Sequence, residues 1–128
     1  MQISEKHSGS VTVIDLSGKI TLGDGDMQIK DTIHSLLHRG RKHLVLNLAQ
    51  VSYVDSAGLG AIVSAYTTTT REGGTLKLAN VSKRLQDLLS MTRLLSVFER
   101  FDSEDEAVRS FEGTVKVAVE GTSRPLDS

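Results

Sequence analysis

Hydrophobic positions along the chain switch repeatedly between the spacing of strands and the spacing of helices. Apolar residues recur at every second position in residues 11–17 and 43–48, which predicts two strands. They recur every three or four positions after residues 29, 59 and 81, which predicts three amphipathic helices. Shorter segments predict three further strands at residues 2–7, 75–79 and 97–101, and a capping sequence at 103–106 predicts a fourth helix.

This order of elements predicts an α/β fold. Strands that alternate with helices from residue 43 onward favour parallel pairing, whereas residues 2–17 form a hairpin with an antiparallel edge. We therefore expect a mixed sheet of about five strands flanked by four helices, in one domain over residues 1–112. Residues 113–128 are expected to be a tail whose Val115 to Val119 alternate like a strand, either over the chain's own sheet edge or against another copy in a homodimer, before a frayed end.

One stretch, residues 54–60, joins a predicted strand to a predicted helix through small residues. Asp55 and Ser56 are both residue types that cap helices, so either side chain can accept the free N–H groups of the first turn. A serine hydroxyl is thus expected at the positive end of a helix dipole. For Gly58 and Gly60, close packing of the helix on the sheet is favoured over a phosphate-cradling loop, because a lone G-x-G is a weak signal.

Composition narrows the classes of partner. The 128 residues carry 15 lysines and arginines against 16 acidic residues, a net charge of −1, so no strong field attracts nucleic acid or an anionic membrane. There is no cysteine, and neither a signal peptide nor an apolar run of membrane-spanning length is evident. We expect a soluble, cytoplasmic protein without membrane insertion.

The sequence N-L-A-Q-V-S-Y-V-D-S-A-G-L-G at residues 47–60 resembles the signature of STAS domains, in particular the bacterial anti-sigma-factor antagonists. The similarity extends over residues 11–111 and includes Gly18-Lys19-Ile20, the Gly73-Gly74 turn and Asn80-Val81-Ser82. The resemblance implies a non-enzymatic, partner-switching regulator of transcription, without catalytic residues, metal or cofactor of its own.

In that family the unphosphorylated antagonist binds an anti-sigma factor that is also a serine kinase, and phosphorylation breaks the complex until a phosphatase restores it. The resemblance places the phosphorylated serine at Ser56. It also implies a partner-binding surface made of residues in the turn and in the preceding Thr21–Gly25 loop: Thr21, Asp24, Asp55, Ser56, Ala57, Gly58 and Leu59.

Two positions depart from the pattern of many antagonists. Ala57 stands where a second serine or threonine often follows, which leaves Ser56 as the one acceptor in the turn, and Thr21 stands where an acidic residue is common. Phosphate on Ser56 would add about −1.5 to −2 charges beside Asp55. The helix N-terminus tolerates an anion, so we expect phosphorylation to break a complex rather than to unfold the domain.

The sequence gives less support to two other functions, a hydrolase and a metal site. A hydrolase would need G-x-S-x-G, but Val54 occupies the first glycine position and His43 lies at the far end of the strand. Asp31, His34 and His38 share helical spacing, which is more typical of a polar surface than of a metal site.

Two alternatives have the same fold class. A phosphoreceiver domain would need an acidic cluster after its first core strand, and Asp15 alone does not supply one. The second alternative is a STAS scaffold or adaptor within a larger signalling or lipid-transport complex. In such a protein the same turn would bind a partner without being phosphorylated, so the sequence leaves this alternative open.

Overall fold

A five-stranded mixed sheet forms the centre of the structure, a computed structural model in which residues 1–111 are described. The strands are β1 (Gln2–Ser8), β2 (Val11–Ile20), β3 (His43–Val54), β4 (Thr75–Ala79) and β5 (Arg100–Phe101). The helices are α1 (Gly25–His38), α2 (Ser56–Arg71), α3 (Lys83–Met91) and α4 (residues 104–111), with a 3-10 turn at Leu95–Val97.

The strands lie side by side in the order β1-β2-β3-β4-β5. The edge strand β1 is antiparallel to β2, and the other three pairings are parallel. The predicted α/β class, with its mixed sheet and antiparallel edge, is therefore confirmed. The strand expected near residues 115–119 lies outside the described residues.

Helices cover both faces of the sheet. On one face α1, α2 and α3 contribute Ile33, Ile62 and Leu89 to a core in which sheet residues such as Ile14 and Leu46 are fully buried. Burial of one such side chain contributes roughly 1.5–3 kcal/mol. On the other face, a second set of apolar residues from the sheet and α4 pack together: Val11, Val13, Val45, Ala79, Ala107, Val108 and Phe111.

β2 and β3 are longer than their alternating patterns predict. We expected β2 to end at Ser17 and a loop to occupy 18–26, but the two strands continue pairing until Ile20 lies opposite Val54. The ends of both strands are held by backbone hydrogen bonds, which do not depend on the type of side chain. Their side chains therefore need not alternate between apolar and polar, and the sequence pattern does not predict these residues as strand. The pairing shortens the loop between β2 and α1 to residues 21–24 and carries it to the end of β3.

β5 is shorter than its pattern predicts. The expected strand spans 97–101, yet only Arg100 and Phe101 pair with β4. The preceding Phe98 is buried against the core, with its ring edge-on to Tyr66 at a centroid distance of 5.2 Å. Packing of that ring, together with the 3-10 turn, replaces the first part of the strand.

Candidate functional site

The helix α2, which starts in the serine turn at the end of β3, has Asp55 and not Ser56 as its N-terminal cap. The Asp55 carboxylate accepts a hydrogen bond of 2.7 Å from the Gly58 N–H, and α2 begins at Ser56. The sequence left both residues open as the cap. Because Asp55 takes that role, the Ser56 hydroxyl has no hydrogen-bond partner in the described part of the chain, and the residue is exposed.

The same carboxylate also holds the neighbouring loop. Its second oxygen accepts the Leu22 N–H at 3.1 Å, and the Asp55 N–H donates to the Ile20 carbonyl at 3.2 Å. The Gly58 N–H, and after it the Leu22 N–H, lower the pKa of Asp55 below its ordinary value. Asp55 is thus a fixed negative charge that joins the start of α2 to the loop after β2.

Two helices begin against the last residue of β2, and a glycine permits each approach. A Cβ atom on Gly58 would lie 2.1 Å from the Ile20 carbonyl oxygen, and one on Gly25 would lie 2.9 Å from the Ile20 Cα. The packing role predicted for Gly58 is therefore confirmed. For Gly60 that prediction is wrong, because a Cβ there would meet nothing within 4 Å and the residue is exposed.

A second carboxylate closes the loop between β2 and α1. Asp26 is buried, and it accepts the Gly23 N–H at 2.9 Å and the Met27 N–H at 2.8 Å. Asp24 is exposed, and its carboxylate accepts a hydrogen bond from the Gln28 side chain at 2.7 Å. The loop is consequently pinned at Leu22 by Asp55 and at Gly23 by Asp26.

Pinning the loop presents apolar side chains that the sequence analysis did not select. Leu22 is 75% exposed and Met27, in the first turn of α1, is 57% exposed. Large apolar side chains at such exposure commonly mark contact surfaces. A leucine directly before the run Gly23-Asp24-Gly25-Asp26 is the signal that could have identified this position in the sequence.

The residues of the expected partner-binding surface divide by burial. Ser56 and Asp24 are exposed, Thr21, Asp55 and Ala57 are half-buried, and Gly58 and Leu59 are buried. Both loops meet at one end of the sheet because β2 and β3 are parallel and end together.

The structure does not bring His43 to the serine turn as a base. His43 lies at the start of β3, stacked on Phe111 with ring centroids 5.0 Å apart, and its Nδ1 lies 3.2 Å from the Ser10 hydroxyl. Among the described residues no group of three His, Asp or Glu side chains could hold a metal ion, and Asp31, His34 and His38 form none.

Comparison with known proteins identifies the class. The family model for the STAS domain matches residues 2–107, so the chain belongs to the STAS domain family. It is 29% identical over 112 residues to the anti-sigma F factor antagonist of Paenibacillus polymyxa, covering 88% of this chain and 96% of the relative. It is 28% identical over 99 residues to the anti-sigma-B factor antagonist of Bacillus subtilis (strain 168), covering 77% and 89%.

A solved structure supports the fold independently. The Bacillus cell fate determinant SpoIIAA in its phosphorylated form superposes with a TM-score of 0.70 at 20% identity, covering 86% of this chain and 99% of that chain. The resemblance to antagonists is thereby confirmed at the level of family and fold. Within residues 1–111, no helix has the length and apolar character required to cross a membrane.

Proposed function

We propose that this chain is an anti-sigma-factor antagonist controlled by phosphorylation of Ser56. The relatives named above support the general role. One observation carries the assignment of the residue: Asp55 caps α2, which leaves the exposed Ser56 hydroxyl unoccupied at the helix start. A kinase can therefore reach the hydroxyl without breaking any hydrogen bond among residues 1–111.

In the unphosphorylated state, an anti-sigma factor with serine kinase activity covers Ser56, Ala57 and the loop from Thr21 to Asp24. Leu22 and Met27 are the apolar anchors of this surface. Both side chains are exposed, Leu22 in the loop itself and Met27 in the first turn of α1. Gly58 and Leu59 are buried and support the contact by positioning α2.

Phosphorylation breaks the complex by electrostatics. The phosphate lies beside the Asp55 carboxylate, whose lowered pKa keeps it ionised. Two adjacent anions on a surface that must lose water on docking oppose binding. A phosphatase then restores the binding form, and we place the cycle in the cytoplasm, without nucleic acid or any cofactor held by this chain.

Phosphosite mapping tests the acceptor. We expect chain isolated from its native cells to carry a phosphatase-sensitive phosphate on Ser56, detected by intact mass and peptide sequencing. If no growth condition yields that phosphate, the assignment fails, and the scaffold or adaptor role within a larger complex becomes the better interpretation.

Matched variants test the switch. Ser56→Ala should capture an anti-sigma factor from a native lysate, whereas Ser56→Asp should capture at least about tenfold less, a difference of about 1.4 kcal/mol. Ser8→Asp is the control, because Ser8 is exposed and lies at the opposite end of the strands. Equal capture by the two Ser56 variants would contradict the proposed mechanism.

A further inference from the structure

A groove opens on the sheet where β4 turns away from β3. The last paired residues are Asn47 and Ala79, and the next residue, Asn80, has a left-handed backbone with φ of 59°. The Asn80 side-chain amide donates to the Asn47 side-chain oxygen at 2.9 Å, which fixes the point of divergence. Beyond it, residues 48–54 of β3 pair with β2 alone among the described strands.

Two neighbouring cavities follow this unpaired side of β3. The first, about 200 Å³, lies between β3 and α3, and Leu48, Val51, Leu85 and Leu88 are among its apolar lining. The second, about 500 Å³, is more polar and shares Leu48, Val51 and Ser82 with the first. The groove therefore combines one small apolar cavity with a polar extension.

Taken alone, the first cavity has room for one apolar side chain but is small for a drug-sized molecule. Sites for drug-sized ligands occupy roughly 300–1,000 Å³. At about 200 Å³, this cavity suits one apolar side chain of a bound peptide, whose neighbouring residues would follow β3 into the second cavity.

The charge at the groove favours an acidic residue beside that side chain. Arg84 lines the first cavity and Arg100 the second, and neither has an ion-pair partner in the described part of the chain. Arg84 also lies in the first turn of α3, where the helix dipole attracts anions. Asp102 also lines the second cavity and disfavours an acid at that end, so the expected carboxylate lies beside Arg84.

The uncharged character of the exposed strand supports a protein partner. β1, the outer edge, carries Glu5, Lys6 and His7, charges of the kind that discourage strand addition. Residues 48–54 of β3 have no charged side chain, and 49, 50, 52 and 53 are exposed. Two register shifts in this part of the β2–β3 pairing interrupt the ladder, which limits regular strand addition and leaves the side-chain anchors to dominate.

We propose that the groove between residues 48–54 of β3 and α3 binds an extended peptide segment of a partner protein, in which an apolar side chain fills the first cavity and an adjacent acidic residue pairs with Arg84. Tyr53 and Val54 line the end of the first cavity and directly precede the serine turn, but Ser56 itself does not line the groove, and binding there does not require phosphorylation.

Selection of phage-displayed random dodecapeptides on the full chain carrying Ser56→Ala tests the proposal. The enriched peptides, synthesised with a fluorophore, should carry an apolar residue next to Asp or Glu. Binding measured by anisotropy should weaken about tenfold in Arg84→Glu, the loss expected for one charge-assisted contact. Lys83→Glu is the matched control, since Lys83 makes the same charge change on α3 but does not line either cavity.

Amide NMR spectra locate the bound peptide. Shifts confined to residues 48–54 and 80–88 support the groove, and Leu88→Glu should abolish them while the remaining spectrum stays folded. The proposal is overturned if no peptide is enriched, if Arg84→Glu binds as well as Lys83→Glu, or if the shifts map to the Ser56 turn. It is equally overturned if sedimentation shows that a second copy of the chain occupies the groove.

Discussion

At the scale of single residues, Asp55 links the two parts of the candidate site. Its two oxygens accept hydrogen bonds from the first turn of α2 and from the loop after β2. An alanine at this position removes both acceptors at once. The geometry of the surface around Ser56 therefore depends on Asp55, even if Asp55 makes no contact with the partner protein.

Asp55→Ala should loosen both segments. We expect faster hydrogen exchange at the Leu22 and Gly58 amides and a lower melting temperature at neutral pH. Because folding lowers the pKa of Asp55, its stabilising effect is present above the pKa of the unfolded chain and is lost as pH falls through the folded value. The difference in stability between wild type and variant should thus shrink on acidification, and a constant difference would refute the explanation.

Gly58 and Gly60 provide a paired test of helix packing. Gly58→Ala should cost about 1–3 kcal/mol, because its Cβ would lie 2.1 Å from the Ile20 carbonyl oxygen. Gly60→Ala should stabilise the chain by about 0.5–1 kcal/mol, since the position is helical, exposed and free of contacts within 4 Å. Urea unfolding measures both, and similar effects of the two variants would argue against the close approach.

At the scale of elements, α2 keeps its threonine-rich end through burial. Threonines 67–70 are poor helix formers, and the sequence predicts that packing holds this turn. Thr69 is fully buried and packs near Gly74, while its hydroxyl has no hydrogen-bond partner within residues 1–111. Packing therefore holds this turn at Thr69, whereas Thr67 and Thr70 are exposed.

Thr69→Val should remove the cost of burying that hydroxyl. The valine keeps the shape of threonine, so we expect a gain of about 1–2 kcal/mol in the free energy of unfolding. Thr67→Val is the control, because Thr67 is exposed and should change stability by less than about 0.5 kcal/mol. Destabilisation by Thr69→Val would indicate that its hydroxyl has a partner in solution.

The helix α4 is held on the second face by polar as well as apolar contacts. Glu104 accepts hydrogen bonds from Lys6 at 2.8 Å and from Asn47 at 3.3 Å at its start. At its other end, the buried Lys77 ammonium lies 4.2 Å from the centre of the Phe111 ring. The capping residue Ser103 was sufficient to predict this helix from the sequence. The contacts that hold the helix on the sheet join residues distant in sequence, so no local sequence pattern could predict them.

At the scale of the whole molecule, the alternation of helix and strand was sufficient to predict the α/β sheet, whereas the site depended on strand ends. The alternation of apolar and polar residues ends at residues 17 and 48. The two strands continue beyond these residues, because backbone hydrogen bonds pair β2 with β3 as far as Ile20 and Val54. That continuation places Leu22 beside Asp55, a contact set by register and not by side-chain pattern. The Ser56 turn itself was identifiable because its residue types are local.

The whole fold should tolerate a negative charge at Ser56. An anion in the first turn of α2 gains about 0.3–1 kcal/mol from the helix dipole, and repulsion from Asp55 opposes that gain. We therefore expect Ser56→Asp to unfold in urea within about 1 kcal/mol of wild type, with amide shifts confined to the turn and residues 21–24. A cooperative loss of structure would mean that phosphorylation acts by unfolding the domain, and the switch would then lie in the core and not at the contact surface.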